Sequence, residues 1–199
     1  MNRCFPIVFS ILACPAIAEG TRELDSHEHG VGKLNIAYFG NTVAMEFHAP
    51  GADIVGFEYE AKNANDRASI DAAVATLARP LELFVMPAAA ECTVTQASAE
   101  LESEDEHEEV HDHEDDHDED HAEEQHDGDR HENEASHTEF HAEYILTCGN
   151  LGELHGITFK YFEIFENALE LEVQIVSESG AQAFEIGRDD PKLELRGMF

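Results

Sequence analysis

The chain has 199 residues, 44 Asp and Glu against 11 Lys and Arg, and 13 His, for a formal net charge of −33. That balance leaves no basic face for a nucleic acid and repels anionic lipid surfaces, so neither is an expected partner and the chain does not read as membrane-embedded. Hydrophobic residues make up 42%, enough to bury a core in one domain.

Residues 1–18 read as a secretory signal. Arg3 supplies the positive start, Cys4 to Ala18 is uncharged and mostly apolar, and Ala16-Ile17-Ala18 is a small-residue cleavage site. The run is shorter than the ~20 residues a membrane span needs. A lipid anchor at Cys14, after Ile11-Leu12-Ala13, stays open as an alternative. The predicted fate is export.

Residues 26–50 predict a hairpin. Leu34, Ile36 and Tyr38 alternate with polar or small residues, Gly40-Asn41 is a turn, and Val43, Met45 and Phe47 alternate again. Residues 51–60 are ambiguous. Residues 65–78 predict a helix capped by Asn65 or Asp66, with Ile70, Val74 and Leu77 on one stripe and Pro80 stopping it. Residues 81–86 and 92–101 read as short or weakly patterned strands. Residues 138–148 alternate well, with Phe140, Ala142, Tyr144 and Leu146 on one face and Glu139, His141 and Glu143 on the other. Residues 157–165 and 168–177 read as two more strands, the latter burying Leu169, Leu171, Val173 and Ile175. Phe184 with Ile186, and Leu193 with Leu195, add edge strands. Connections are too short for many helical crossovers. The predicted class is α+β: a mainly antiparallel β body with one or two helices and a long disordered His/Asp/Glu-rich insert.

The insert divides the body into 19–103 and 138–199. Residues 104–134 hold 18 acids, one Arg and seven His, leaving 26 acids and 10 Lys and Arg for the other 168 residues. From His107 onward come His111, His113, His117, His121, His126, His131, His137 and His141, nine imidazoles in 35 residues. Neutral imidazole is the favoured nitrogen ligand for zinc, copper and nickel, and carboxylates complete such sites. The four-residue steps 107/111 and 113/117/121 would each put their histidines on one helix face, although charge repulsion disfavours that helix without a cation. Interchangeable ligand sets and an ordering cost describe a low-affinity collector. An acidic run is more commonly a solvated spacer, but a spacer has no use for nine histidines.

On the body, His27 and His29 form an H-x-H pair ahead of the first strand, and Glu139, His141 and Glu143 share a strand face beside His137. Together they could supply three or four ligands. His48 and His155 stand alone and read as surface or hydrogen-bonded histidines. No H-E-x-x-H, G-x-S-x-G or phosphate-cradling glycine loop is present, so no enzyme is predicted. Removing the signal takes Cys4 and Cys14 and leaves Cys92 and Cys148. In an exported protein these read as one disulfide, with free thiols or a zinc–thiolate pair as alternatives.

Several segments resemble a known family. H-E-H-G at 27–30 with K-L-N-I-A at 33–37, A-D-I-V-G-F-E at 52–58, P-A-A-A-E-C at 87–92, F-H-A-E-Y-I-L-T-C at 140–148, F-E-I-F at 162–165 and L-E-V-Q-I-V at 171–176 are similar, in this order around a His-rich insert, to the ZrgA family of bacterial periplasmic zinc-uptake proteins. The resemblance implies a β-rich body with a mobile His-rich loop that binds Zn2+ and assists its import, and it places His27, His29 and His141 on motif positions. The expected function is capture of scarce zinc for an inner-membrane importer. A general nickel, cobalt or copper buffer and a zinc-dependent hydrolase are the alternatives.

Overall fold

The structure is a computed structural model, and it describes residues 28–103 and 137–197. The signal segment, His27 and the insert histidines 107–131 lie outside the described residues.

Two sheets pack face to face. The hairpin forms as its alternation requires: β1 (Val31–Phe39) and β2 (Thr42–Pro50) turn at Gly40-Asn41 and pair antiparallel with Leu34 opposite Phe47. β2 continues into the single turn α1 (Gly51–Ile54), and α2 (Ala64–Leu77) follows. Asn63 caps α2, its side-chain oxygen accepting from the Asn65 and Asp66 N–H groups at 2.9 Å. The helix therefore starts one residue before the expected cap, and both expected cap residues lie in its first turn. After the turn α3 (Pro80–Leu83) come β3 (Phe84–Val85) and β4 (Cys92–Ser103). Beyond the insert run β5 (Thr138–Cys148), β6 (Gly156–Phe159), the turn α4 (Tyr161–Ile164), β7 (Glu170–Ser177), β8 (Gly180–Gly187) and β9 (Lys192–Glu194).

The large sheet has the order β4-β5-β2-β1-β7-β8 and the small one β3-β6-β9. All pairings are antiparallel except β1 with β7, the two strands that run parallel. The apolar face of the large sheet presents Leu34, Ile36, Val43, Phe47, Phe140, Tyr144, Leu171 and Val173, all buried. Phe84 of the small sheet enters that face, with ring centroids 5.9 Å from Phe47, 6.2 Å from Tyr144 and 6.0 Å from Phe159. Aromatic pairs in this range add to the area they bury.

Three expectations need correction. In the segment 81–86 the chain is helical to Leu83, and only Phe84–Val85 are strand. The segment 157–165 is a strand only to Phe159, and α4 then turns Tyr161 and Phe162 into the core. Leu169 is 58% exposed. β7 begins one residue later, and the Leu169 N–H is already committed to the Gly30 carbonyl, so Ala168 takes the buried place. Cys92 and Cys148 are directly opposed on β4 and β5 and form a disulfide. This joins the edge strand to its neighbour at the end remote from the insert.

The other face of the large sheet is polar, and it carries the histidines. Alternation fixes this. Once Phe47 and Phe140 point inward, Glu46, His48, Glu139 and His141 must point outward. Register then brings them together, because His48 pairs with His141 and Glu139 with Glu102.

Candidate metal centre

His48 and His141 stand side by side on β2 and β5. Their rings are stacked, with centroids 4.4 Å apart and planes 13° from parallel. Each Nδ1 meets a carboxylate: His48 lies 3.2 Å from Glu139 Oε2, and His141 lies 3.0 Å from Glu102 Oε1. An ionised carboxylate only accepts, so each Nδ1 carries a proton. In the neutral ring Nε2 is then the lone-pair atom. The two Nε2 atoms face one oxygen, Glu46 Oε1, at 3.5 Å from His48 and 3.8 Å from His141. The second Glu46 oxygen is held by the Asn35 amide, which donates to it at 3.1 Å.

Those distances decide what the gap suits. The first is at the long limit of a hydrogen bond and the second beyond it, and the buried His141 Nε2 has no hydrogen-bond partner among the described residues. Donor atoms on a tetrahedral zinc, at about 2.1 Å from the ion, sit about 3.4 Å from one another. Two of the three separations are therefore close to those an ion would set, the group's ligand atoms all lie within 4.8 Å of one another, and carboxylates behind the imidazoles hold the rings in the ligating tautomer. Glu100 and Glu102 also approach His141 from β4, within 4.8 Å.

The electrostatics follow from the same contacts. Hydrogen bonding to Glu139 raises the His48 pKa above its ordinary value, against the opposing effect of burial. The Asn35 amide is the main cause that lowers Glu46, aided by His48 and His141 and opposed by burial.

A second group lies where β1 and β5 begin. Glu58 stands between His29, whose Nε2 is 3.1 Å from Oε1, and His137, whose Nδ1 is 3.0 Å from Oε2. The Glu58 side chain is 13% exposed, His29 64% and His137 49%. Two glycines bring these segments together. A side chain on Gly51 would meet Thr138 Oγ1 at 2.5 Å and the Phe57 carbonyl at 2.7 Å, so only glycine lets the 51–58 segment close on the start of β5. Gly30 has φ +91° and donates its N–H to Asp53 Oδ1 at 2.8 Å, which fixes His29 over α1. Asp53 is 2% exposed, and its Oδ2 has no hydrogen-bond partner among the described residues. Burial raises the Asp53 pKa, partly countered by the Gly30 bond. Burial also acts to raise Glu58, but its bonds to His137 and His29 outweigh that and lower it.

The histidines and acids expected as one set thus have different partners. His29 and His137 meet at Glu58; Glu139 and His141 meet His48. Glu143 is exposed on the same strand face opposite Glu46, in neither group, and lines a shallow groove with Asn35, Gln96 and Gln174. Glu46, His48, Glu58 and Glu102 were not expected. The signal for His48 was its outward phase on β2, two residues after Glu46, but only the β2–β5 register connects it to His141. No helix among the described residues is long and apolar enough to cross a membrane.

The sequence model of the ZrgA family zinc uptake proteins matches residues 26–195. The chain belongs to this family, which is a zinc-uptake family and not an enzyme family. No curated protein matches it.

Proposed function

We propose that this member of a zinc-uptake family is an exported, periplasmic zinc-binding protein that captures scarce Zn2+ and assists its delivery to an inner-membrane importer. Its principal ligands are His48 Nε2, His141 Nε2 and Glu46. The observation that carries this is the convergence of two imidazole Nε2 atoms on one carboxylate oxygen, 3.5 and 3.8 Å away, with both Nδ1 atoms held by Glu139 and Glu102. Three protein ligands and an open fourth position suit an ion that must later leave, since structural zinc sites are closed by four. The insert, with its seven His among 18 acids, serves as a weaker collector that raises the local supply. Imidazole and carboxylate would also accept nickel, cobalt or copper; the zinc assignment is drawn from the family.

The test is zinc competition against a chelator of known affinity, on the full mature chain and on a His48→Gln/His141→Gln variant. The tightest class of sites should weaken by more than about ten-fold while the insert's weaker capacity stays. An unchanged tightest class places the site elsewhere. Stronger retention of nickel or cobalt than of zinc, in cells starved of all three, would favour the general buffer.

A further inference from the structure

We propose that the body holds a second, separate zinc site made by His29 Nε2, the Glu58 carboxylate and His137 Nδ1, with Asp53 as the buried counter-charge beneath it. The proposal deepens the zinc-carrier reading and rests on it.

The composition of the group is the first argument. Two imidazoles approach opposite oxygens of one carboxylate at 3.1 and 3.0 Å. Those are hydrogen-bond distances, about 0.3 Å shorter than the two corresponding edges of a zinc tetrahedron. His29 Nε2 and His137 Nδ1 sit on opposite Glu58 oxygens and are not yet part of a group whose ligand atoms all lie within 4.8 Å of one another, so these two exposed side chains must swing together over the held Glu58 to share an ion.

The second argument is Asp53. A buried carboxylate oxygen without a donor is costly. Asp53 Oδ2 is such an atom, on a side chain 2% exposed, and Asp53 interacts electrostatically with both His29 and Glu58. A divalent ion held by Glu58 supplies positive charge where this carboxylate lacks a partner. Two carboxylates and one Zn2+ also balance in charge.

Separation is the third argument. His137 and His141 are four residues apart on the approach to and along β5, about 14 Å at ~3.4 Å per residue. One ion with bonds of about 2 Å cannot reach both. Glu139, which lies between them, is already engaged with His48. The body therefore takes two ions, a half-buried one on the sheet and a more exposed one at the strand starts.

The experiment follows the imidazole nitrogens of the full mature chain, 15N-labelled at histidine, during titration with zinc sulfate. Signals are assigned by single His→Gln replacements. In the wild type both pairs, His29/His137 and His48/His141, should show the nitrogen shifts of zinc ligation. Glu58→Gln should weaken the response of His29 and His137 by ten-fold or more and leave His48 and His141 unchanged. His137→Gln, at an exposed position, repeats the test for His29 should the Glu58 variant lose its native amide spectrum. Zinc responses of His29 and His137 that survive in Glu58→Gln, or that never occur in the wild type, overturn the second site. A wild type in which His48 and His141 do not respond sinks the principal-site reading instead, whatever Glu58 does.

Discussion

The His48 and His141 imidazoles lie parallel at 4.4 Å, and each is turned the same way: Nδ1 to its own carboxylate, Nε2 to Glu46. Neither orientation is free to drift. Glu139 on β5 grips the His48 ring and Glu102 on β4 grips the His141 ring, so the ligating atoms are positioned before any ion arrives. Pre-positioned ligands spare the ordering cost that ligands not held by the fold must meet.

That relationship predicts graded losses. Glu102→Gln and Glu139→Gln remove no zinc ligand, yet each should weaken the tight site by about 10–100-fold, because an amide can present a donor to Nδ1 and favour the wrong tautomer. Glu46→Gln should cost at least as much, since it removes a ligand. Competition titrations on the three variants check the order; a Glu102 or Glu139 variant that binds as the wild type does would show that the carboxylates are incidental.

Acid should act on the same pair with a definite sign. His48 has a raised pKa in the folded protein. Its contact with Glu139 therefore stabilises the zinc-free fold fully below the ordinary imidazole value, about 6.5, and that contribution is lost as pH rises through the raised value. Zinc inverts the trend, because ligation needs the neutral ring and affinity grows as the proton leaves. Urea unfolding with chelator present should show this slope in the wild type and a smaller one in His48→Gln. A zinc-loaded sample should grow more stable from pH 6 to pH 8. Equal slopes in the two zinc-free proteins would count against the His48–Glu139 bond.

Much of the fold was legible because the strands alternate. Val43 to Phe47 and Phe140 to Leu146 announce their buried phase residue by residue, and the helix ending before Pro80 has its stripe and its stop. What the alternation cannot carry is pairing. His48 looked isolated because its partner lies 93 positions away in the sequence, and the register that makes them neighbours is a property of the sheet. Glu58 was hidden for a similar reason: it sits in an irregular loop without period, placed by the close packing of Gly51 on Thr138 and by the Gly30–Asp53 bond. Tyr161 and Phe162 misled in the opposite direction, since a short aromatic run fits a strand and a buried helical turn equally well.

The disulfide is predicted to matter for stability more than for zinc. Cys92 and Cys148 are 56 residues apart in sequence, and closing such a loop restricts the unfolded chain by about 4 kcal/mol in the chain-entropy model. Cys92→Ala/Cys148→Ala should unfold at clearly lower denaturant and keep its tight zinc affinity, because the bond lies at the end of β5 away from His141. Unreduced mature protein should weigh two hydrogens less than reduced protein. Two alkylatable thiols in the native state would exclude the bond.

The last prediction concerns the insert. Ser103 and Thr138 are register partners at the ends of β4 and β5, so the segment between them leaves and returns at neighbouring points of one strand pair. Nothing in the sheet needs the chain to be long there. Replacing residues 104–136 with a three-residue linker makes, together with His137, a four-residue hairpin loop of a common length. The insert also offers little to a core, with Val110 as its one large aliphatic residue. The shortened protein should therefore unfold at nearly the same denaturant concentration as the parent and retain His29, His48, His137 and His141. Its zinc capacity should fall by the ions that the seven removed histidines hold, while the tightest class keeps its affinity. Calorimetric titration of both proteins measures the two quantities at once. A capacity that stays the same after deletion would mean that the insert is only an acidic spacer, and a collapse of the tightest class would mean that the insert supplies a ligand to the body.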